Sequence, residues 1–216
     1  MTNRPRHHRR TPPRSDGWTA ILAAPALAAT CIIALCVPAA NAAGPLVFGT
    51  APKLPTLTAV TINGKSQTVN STMATFSVSD TRGTKSGWNV TAQGQSGVGK
   101  SAVFAQYCPK AKCGAASEGY IAGGASLAAN SLKLNSTAAK FSGGTNATPT
   151  LQCAAACNID SAAAVKVASA TNGESTWTAS GFSATSLALA VPTTLKVLPV
   201  EEVYRVNILW TLATGP

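Results

Sequence analysis

The alternation of apolar and polar residues with a period of two is the feature that most constrains the fold of this chain. Such runs include TMATFSVSD, GWNVTAQ, SAVFAQY and VYRVNILWTL, whereas long stretches of helical periodicity are absent. Successive side chains of a β-strand point to opposite faces, so each run is typical of a strand with one buried face. We therefore expect an all-β fold, a single antiparallel β-sandwich domain.

Two Asn-Gly pairs are the strongest turn signals. Asn63-Gly64 lies between two alternating runs in LTAVTINGKSQTVN, and Asn172-Gly173 lies between two more in AVKVASATNGESTWTAS. Both central residues of a tight hairpin turn need a positive φ, which asparagine and glycine tolerate. Each pair therefore predicts a β-hairpin. The alanine-rich residues 123–134 fit either a strand or a short helix.

The beginning of the chain has the pattern of an export signal. Five arginines in the first 14 residues are followed by the mostly apolar, uncharged residues 18–37 and then by Ala40-Asn41-Ala42. Signal peptidase requires small side chains at its cleavage site, so we expect residues 1–42 to be a cleaved signal peptide and residues 43–216 to be the secreted domain. A retained membrane anchor is the alternative, because residues 18–37 are about long enough to span a bilayer.

The expected mature chain lacks the residues of most hydrolytic sites. Cleavage would remove His7 and His8, which are the only histidines. Histidine-dependent catalytic triads and histidine-ligated metal sites are therefore excluded from residues 43–216. The six remaining acidic residues are scattered except for one adjacent pair, so no paired carboxylates for glycoside hydrolysis are visible. We expect no catalytic residue, no metal and no cofactor; an enzyme that uses Asp80 and Glu118 is a distant alternative.

The expected mature chain is basic. Residues 43–216 contain twelve lysines and arginines against six acidic residues, a net charge of +6. The positive charges are spread singly, whereas a nucleic-acid interface usually clusters them among aromatic residues, so we expect no nucleic-acid partner. Either solubility alone or attraction to an anionic cell envelope explains the charge.

Four cysteines remain after the expected cleavage. Cys108 and Cys113 lie in CPKAKC, and Cys153 and Cys157 lie in CAAAC. Outside the cytoplasmic membrane, an even number of cysteines is typical of disulfides. Two local loops are one pairing, and two cross-linked arrangements are the others. A zinc site with four thiolate ligands is disfavoured, because neither pair has the usual C-x2-C spacing.

Residues 94–101, GQSGVGKS, fit the phosphate-binding pattern G-x-x-x-x-G-K-[ST]. A working P-loop follows a buried strand and opens a helix, so that backbone N–H groups face the phosphates. The segment SAVFAQYC that follows is too short and too β-like for that helix, and no apolar strand ending in Asp is present to hold magnesium. We therefore predict a flexible hairpin loop that binds no nucleotide.

Two tryptophan-containing segments carry a family resemblance. VSDTRGTKSGWNVTAQ contains DTRG at residues 80–83 followed by GW at residues 87–88, and YRVNILWTLATGP contains WTL at residues 210–212. These segments resemble the proximal and distal motifs of the WxL cell-wall-binding domain of Gram-positive bacteria, and the resemblance covers about residues 46–216. The proximal motif departs from the family pattern because Val90 stands where the family has leucine. The resemblance implies an exported all-β protein that attaches non-covalently to peptidoglycan and has no catalytic activity.

The resemblance also implies a wall-binding motif, whose residues are Asp80, Arg82, Trp88, Val90, Trp210 and Leu212. Alternation places both tryptophans on the buried faces of their strands, so we expect them chiefly to hold the sandwich together. Asp80 and Arg82 are expected to form an exposed turn ion pair worth less than about 1 kcal/mol. Trp177 and Phe182, which are near each other in sequence, are an alternative aromatic platform for a sugar.

The sequence thus predicts a secreted, cell-wall-associated protein. Its expected partners are peptidoglycan or associated anionic wall polymers, with surface proteins as further candidates. The alternative function is a structural or adhesive extracellular β-sandwich that acts through protein partners.

Overall fold

The computed structural model describes residues 44–216, and the expected signal peptide lies outside this range. In chain order, the strands are β1 (Leu46–Thr50), β2 (Gln67–Ser71), β3 (Phe76–Asp80), β4 (Trp88–Gly94), β5 (Ala105–Cys108), β6 (Gly119–Tyr120), β7 (Leu132–Leu134), β8 (Lys140–Gly143), β9 (Thr150–Leu151), β10 (Cys157–Asn158), β11 (Val165–Ala170), β12 (Ser175–Ser180), β13 (Leu187–Val191), β14 (Val203–Arg205) and β15 (Ile208–Thr214). The helix α1 (Lys110–Cys113) has four residues, and no helix in the described range is long and apolar enough to cross a membrane. The alanine-rich residues 123–134 contribute only strand β7.

The strands form four antiparallel sheets. The first sheet has the order β1-β3-β12-β8 and the second has the order β15-β4-β11-β9. The third is β10-β7-β13-β2, and the small fourth sheet is β14-β5-β6. Every pairing between these strands is antiparallel, so the expected all-β antiparallel fold is confirmed.

The core contains aromatic side chains from both the first and the second sheet. Phe76 and Phe141 of the first sheet meet edge to face with ring centroids 6.0 Å apart. Trp88 of the second sheet meets Phe141 in the same manner at 5.9 Å. Leu132 and Leu187 of the third sheet belong to the same core. The alternating runs therefore place their apolar faces inward, as the sequence predicts.

The run VYRVNILWTL forms two strands rather than the single strand that its alternation suggests. Strand β14 pairs with β5, and β15 pairs with β4. Strands β4 and β5 follow one another in the chain, so residues 203–214 run beside both of them and form one continuous edge of the two sheets. The break falls at Asn207, which bonds with residues on both sides of the turn in the loop between β4 and β5. The Gln95 N–H donates to the Asn207 carbonyl at 2.7 Å, and the Asn207 N–H donates to the Ser101 carbonyl at 2.8 Å.

Neither Asn-Gly pair forms the hairpin that it predicts. A local turn is present at Asn63-Gly64, where Asn63 Oδ1 accepts the Lys65 N–H and Gly64 has a φ of 72°. The residues before that turn are not a strand, however, and β2 after it pairs with β13. Asn172-Gly173 connects β11 of the second sheet to β12 of the first. The predictions are wrong because an Asn-Gly pair specifies a turn and not the strand with which the next segment pairs.

Candidate functional site

Asp80, the last residue of β3, forms a buried ion pair with Arg82. The Arg82 Nε donates to Asp80 Oδ1 at 2.9 Å, and its Nη2 donates to Asp80 Oδ2 at 2.7 Å. The Asp80 side chain is 1% exposed and the Arg82 side chain is 14% exposed. The hydrogen bonds from Arg82 hold the pKa of Asp80 below its ordinary value. The expectation of an exposed turn pair is wrong, because neighbouring segments cover both side chains.

The Arg82 guanidinium also ties this turn to two other segments. Its Nη2 donates to the Gly87 carbonyl at 2.7 Å, and its Nη1 donates to Thr214 Oγ1 at 2.6 Å. Thr214 lies at the end of β15, so one side chain links the proximal motif to the distal motif. The planar guanidinium has five N–H donors in a fixed fork, which allows these contacts to be made together.

Gly87 occupies a position that excludes a larger residue. Its φ is 69°, and a Cβ built on it would lie 2.2 Å from the Ala170 carbonyl oxygen. Its carbonyl also accepts the Gly215 N–H at 3.2 Å, and Asn89 Nδ2 donates to the Gly215 carbonyl at 2.8 Å. The residues just after β15 are therefore bound to the proximal motif through backbone groups.

Trp88, the next residue after Gly87, is fully buried. Its relative exposure is 0%, and its Nε1–H donates to the Gly173 carbonyl at 3.1 Å. Gly173 lies so close to the indole that a Cβ built on it would be 2.1 Å from Trp88 Nε1. The glycine of the second Asn-Gly pair is thus required by the tryptophan rather than by a hairpin. We call the group formed by Asp80, Arg82, Gly87, Trp88 and Thr214 the motif junction.

The two motifs lie side by side on β4 and β15. In this pairing Trp88 is opposite Thr214, Val90 is opposite Leu212, and Ala92 is opposite Trp210. Residues directly opposite each other in an antiparallel pair share a face, and Trp88, Val90 and Ala92 are fully buried. The sequence predicts these faces correctly, but it gives no sign that the two motif strands are neighbours.

Trp210 differs from the other tryptophans that the structure describes. It lies on the core-facing side of β15, yet it is only partly buried, because β15 is the edge strand of the second sheet. Trp88 and Trp177 donate their indole N–H groups to the carbonyls of Gly173 and Glu174. Within residues 44–216 the Trp210 indole N–H has no such partner. The sequence predicts correctly that Trp210 lies on the core-facing side of its strand. The prediction that Trp210 is buried is wrong, because its side chain is partly exposed.

Trp177 and Phe182 do not form an exposed aromatic platform. Their relative exposures are 3% and 9%. Gly144 lies against the Trp177 ring, since a Cβ built on it would be 2.1 Å from Trp177 Cε2. The Phe182 ring lies 6.3 Å from that of Phe76 in the core. The platform interpretation is wrong, because strand alternation directs Trp177 inward.

The four cysteines of residues 44–216 form two local disulfides. Cys108–Cys113 closes a loop around α1, and Cys153–Cys157 closes the loop between β9 and β10, with Cα–Cα distances of 6.0 and 5.2 Å. The expected disulfides are confirmed, and the pairing is the local one of the three that the sequence left open. The described residues contain no cluster of three or more metal-ligating side chains.

The segment GQSGVGKS lacks the local structure of a P-loop. Strand β5 follows it where a P-loop would have a helix. Its tip is a turn in which the Lys100 N–H donates to the Gly97 carbonyl at 3.0 Å. A short hairpin turn is present within the segment, where Gly97 and Lys100 form an antiparallel bridge, although β4 and β5 pair with β15 and β14 rather than with each other. That the segment binds no nucleotide stays a prediction.

The acidic residues singled out from the sequence each have a partner of their own. Asp80 is held by Arg82, whereas Glu118 is exposed and accepts the Tyr107 hydroxyl at 2.7 Å. Asp160 is fully buried, and burial raises its pKa. Two shallow clefts of about 430 and 230 Å³ lie on the described part of the chain, and no carboxylate lines either of them.

A protein-family model described as "WxL domain surface cell wall-binding" matches residues 41–216. The matched range contains every described strand and the whole motif junction. No curated protein and no solved structure matches the chain.

Proposed function

This chain belongs to the WxL family of surface cell-wall-binding domains, and we propose that it attaches to the wall non-covalently, by charge attraction to peptidoglycan and its associated anionic polymers. The family places the protein at the cell surface, bound to the wall. The chemical nature of the wall ligand and the mode of attachment are what we propose.

The charge distribution carries this proposal. Residues 44–216 have twelve lysines and arginines against six acidic residues, and within that range the only ion pair joins Arg82 to Asp80. Asp160 is buried and is therefore not part of the exposed surface. A positive surface attracts an anionic polymer over about one Debye length, which is about 10 Å at 0.1 M salt.

The shape of the surface also favours a polymer over a small ligand. The larger cleft is lined by Ser, Gln, Thr, Ala, Val and Pro side chains, without a charge or an aromatic ring. Small-molecule sites are usually enclosed, mostly apolar pockets with a few convergent polar groups. A long polyanion needs no such pocket, because it can contact many separate cations at once.

We assign different roles to the residues of the WxL motif. Asp80, Arg82, Trp88 and Val90 are buried or nearly so, and we infer that they build the domain. Trp210 is the motif residue that we infer to be available to a glycan, because it is partly exposed and its indole N–H has no partner among residues 44–216. Leu212 is also partly exposed beside it.

Residues 43–216 should pellet with protein-free Gram-positive walls at low salt and be released as salt rises, because screening weakens exposed charge attraction. Walls from which the anionic polymers have been extracted should retain less protein. A variant with Lys133→Gln, Lys140→Gln and Lys166→Gln should pellet less, since all three lysines are exposed. Co-sedimentation measures each effect.

The matched control replaces the same three lysines with arginine. This variant keeps the charge and should pellet like the unmodified domain. Wall binding that is insensitive to salt and equal in the glutamine and arginine variants would refute attraction by charge. Failure of the unmodified domain to pellet with any wall would refute attachment to these polymers altogether.

We also propose that the protein leaves the cell by way of a signal peptide cleaved after Ala42. The arginine-rich start, the apolar residues 18–37 and Ala40-Asn41-Ala42 support this. N-terminal sequencing of the extracellular protein should begin at Ala43. A surface form that still begins near Met1 would contradict cleavage and favour the retained anchor.

We propose no catalytic activity for the domain. The WxL family is not an enzyme family, and residues 43–216 contain no histidine. The second candidate function, action through protein partners, is favoured by one specific observation at the edge of β15.

A further inference from the structure

Along residues 203–214, every second residue has backbone N–H and C=O groups without a partner among the described residues. The pairing of β14 with β5 and of β15 with β4 shows which residues these are. The Gly94 N–H donates at 2.6 Å to the carbonyl of Ser161, which lies just before β11. The backbone groups of Gly94 therefore point away from β15, and those of its neighbour Gln93 point toward it. Both backbone groups of Asn207 also face the chain of β4 and β5. The backbone N–H and C=O groups of successive residues point to opposite sides of a strand. Those of the even-numbered residues of β15 therefore point away from β4.

The same argument applies to β14. The Gln106 N–H and carbonyl bond with Ala125 and Ile121, on the side away from β14. Val203 and Arg205 must therefore bond with β5, and Tyr204 faces outward. The outward-facing residues along the whole edge are Tyr204, Val206, Ile208, Trp210, Leu212 and Thr214. Their backbone groups have no partner among residues 44–216, because β15 pairs only with β4 there. Strand β1 lies close to β15 but pairs only with β3.

A row of incompletely covered apolar side chains runs along the same edge. Its members are Tyr204, Val206, Ile208, Trp210 and Leu212, all of which are partly buried and packed against the core. An unpaired strand edge is a template for another strand, and proteins usually protect such an edge with charges, prolines or a covering segment. Here Arg205 is the only charged residue between 203 and 214.

We propose that this edge pairs with an extended, acidic segment of a partner protein, which adds a strand beside β15. The free backbone groups favour a partner in extended conformation, because a strand in register can form hydrogen bonds with them whatever its side chains are. The apolar row selects a segment with alternating apolar residues. The net charge of +6 on residues 44–216 selects acidic residues between them, and it opposes pairing with a second copy of this chain. This inference does not depend on the wall ligand.

The test uses residues 43–216 and a short synthetic peptide in which valine and glutamate alternate. The peptide should bind, a peptide of the same composition with its valines grouped together should bind less, and an alternating valine–lysine peptide should not bind. N-methylation of Leu212, installed by ligating a synthetic C-terminal segment, removes an outward N–H and keeps the side chain. It should weaken binding of the acidic peptide about threefold to tenfold, the effect of one net hydrogen bond, without lowering the thermal midpoint.

The matched control is N-methylation of Thr211, whose N–H faces β4. It should lower the thermal midpoint, because it removes a hydrogen bond of the β4–β15 ladder. A midpoint lowered equally by both modifications would show that the Leu212 N–H is already bonded, and would overturn the proposal. So would equal binding of the acidic and basic peptides, or a dimer of the unmodified domain in analytical ultracentrifugation that N-methylation of Leu212 abolishes.

Discussion

Replacing Trp88 with alanine should lower the free energy of unfolding by about 3–5 kcal/mol, the usual cost of truncating a large buried aromatic residue. Trp88 is 0% exposed, packs against Phe141 and donates its indole N–H to the Gly173 carbonyl. The substitution would leave a cavity beside Phe141 and an unpaired carbonyl at Gly173. A loss of this size is a large part of a typical domain's stability, so much of the protein should be unfolded in mild denaturant.

The control is the same substitution at Trp210, which is only partly buried and makes no indole hydrogen bond within residues 44–216. Trp210→Ala should cost clearly less stability than Trp88→Ala in the same denaturant titration. Equal losses would mean that the partial exposure of Trp210 does not reduce its share of the core. A folded Trp210→Ala domain that no longer pellets with walls would identify Trp210 as a ligand contact.

Arg82→Ala should be comparably damaging, because it leaves the Asp80 carboxylate buried without its partner. Breaking a buried ion pair from one side costs about 3–5 kcal/mol. The substitution also removes the hydrogen bonds to Gly87 and Thr214 that hold the end of β15. Arg82→Lys keeps the charge but not the forked geometry, so it should recover only part of the stability. Denaturant titration of both variants measures the difference.

The ion pair should also set the acid stability of the domain. Hydrogen bonds from Arg82 lower the pKa of folded Asp80, so its contribution is fully present above the unfolded value of about 3.9 and is lost as pH falls through the lower folded value. Asp160 acts in the opposite direction. Burial raises its folded pKa, so it favours the folded state at low pH, and that contribution is lost as pH rises.

Arg82→Ala should therefore move the midpoint of acid unfolding to higher pH. The control is Asp160→Asn, which removes the carboxylate whose pKa is raised and shows whether a change at any buried carboxylate moves the midpoint in the same direction. Circular dichroism at a series of pH values gives the midpoint for each variant. An unchanged acid midpoint in Arg82→Ala would mean that Asp80 does not depend on Arg82 for its low pKa.

The sequence predicts the class of the fold because strand alternation is a local property. It identifies the strands around Trp88 and Trp210 and the faces on which these residues lie. It does not identify which strands are neighbours. Asn172-Gly173 predicts a hairpin, yet its flanking strands join different sheets, and the same local turn is compatible with both arrangements.

The interior position of Asp80 and Arg82 could not be predicted for the same reason. Their spacing in the sequence is that of an exposed turn, and Thr214, which accepts a hydrogen bond from Arg82, is 132 residues away from it in the chain. The prediction for Trp210 is wrong in the opposite direction, because Trp210 is less buried than expected. Alternation indicates which face of the strand a residue occupies, but it does not indicate whether the strand is central or at an edge. Burial depends on neighbours in space, and a single sequence shows neighbours only along the chain.

The motif junction has a consequence for when the domain can fold. Its contacts join β3 and β4 to β15, the last strand in chain order, so the second sheet cannot be completed before Thr214 has left the ribosome. Folds dominated by such distant contacts form slowly, on a timescale of about milliseconds to seconds. For a protein that is exported unfolded, late closure gives the export machinery time to engage an open chain. The contacts that stabilise the finished domain thus also delay its completion until β15 has been synthesised.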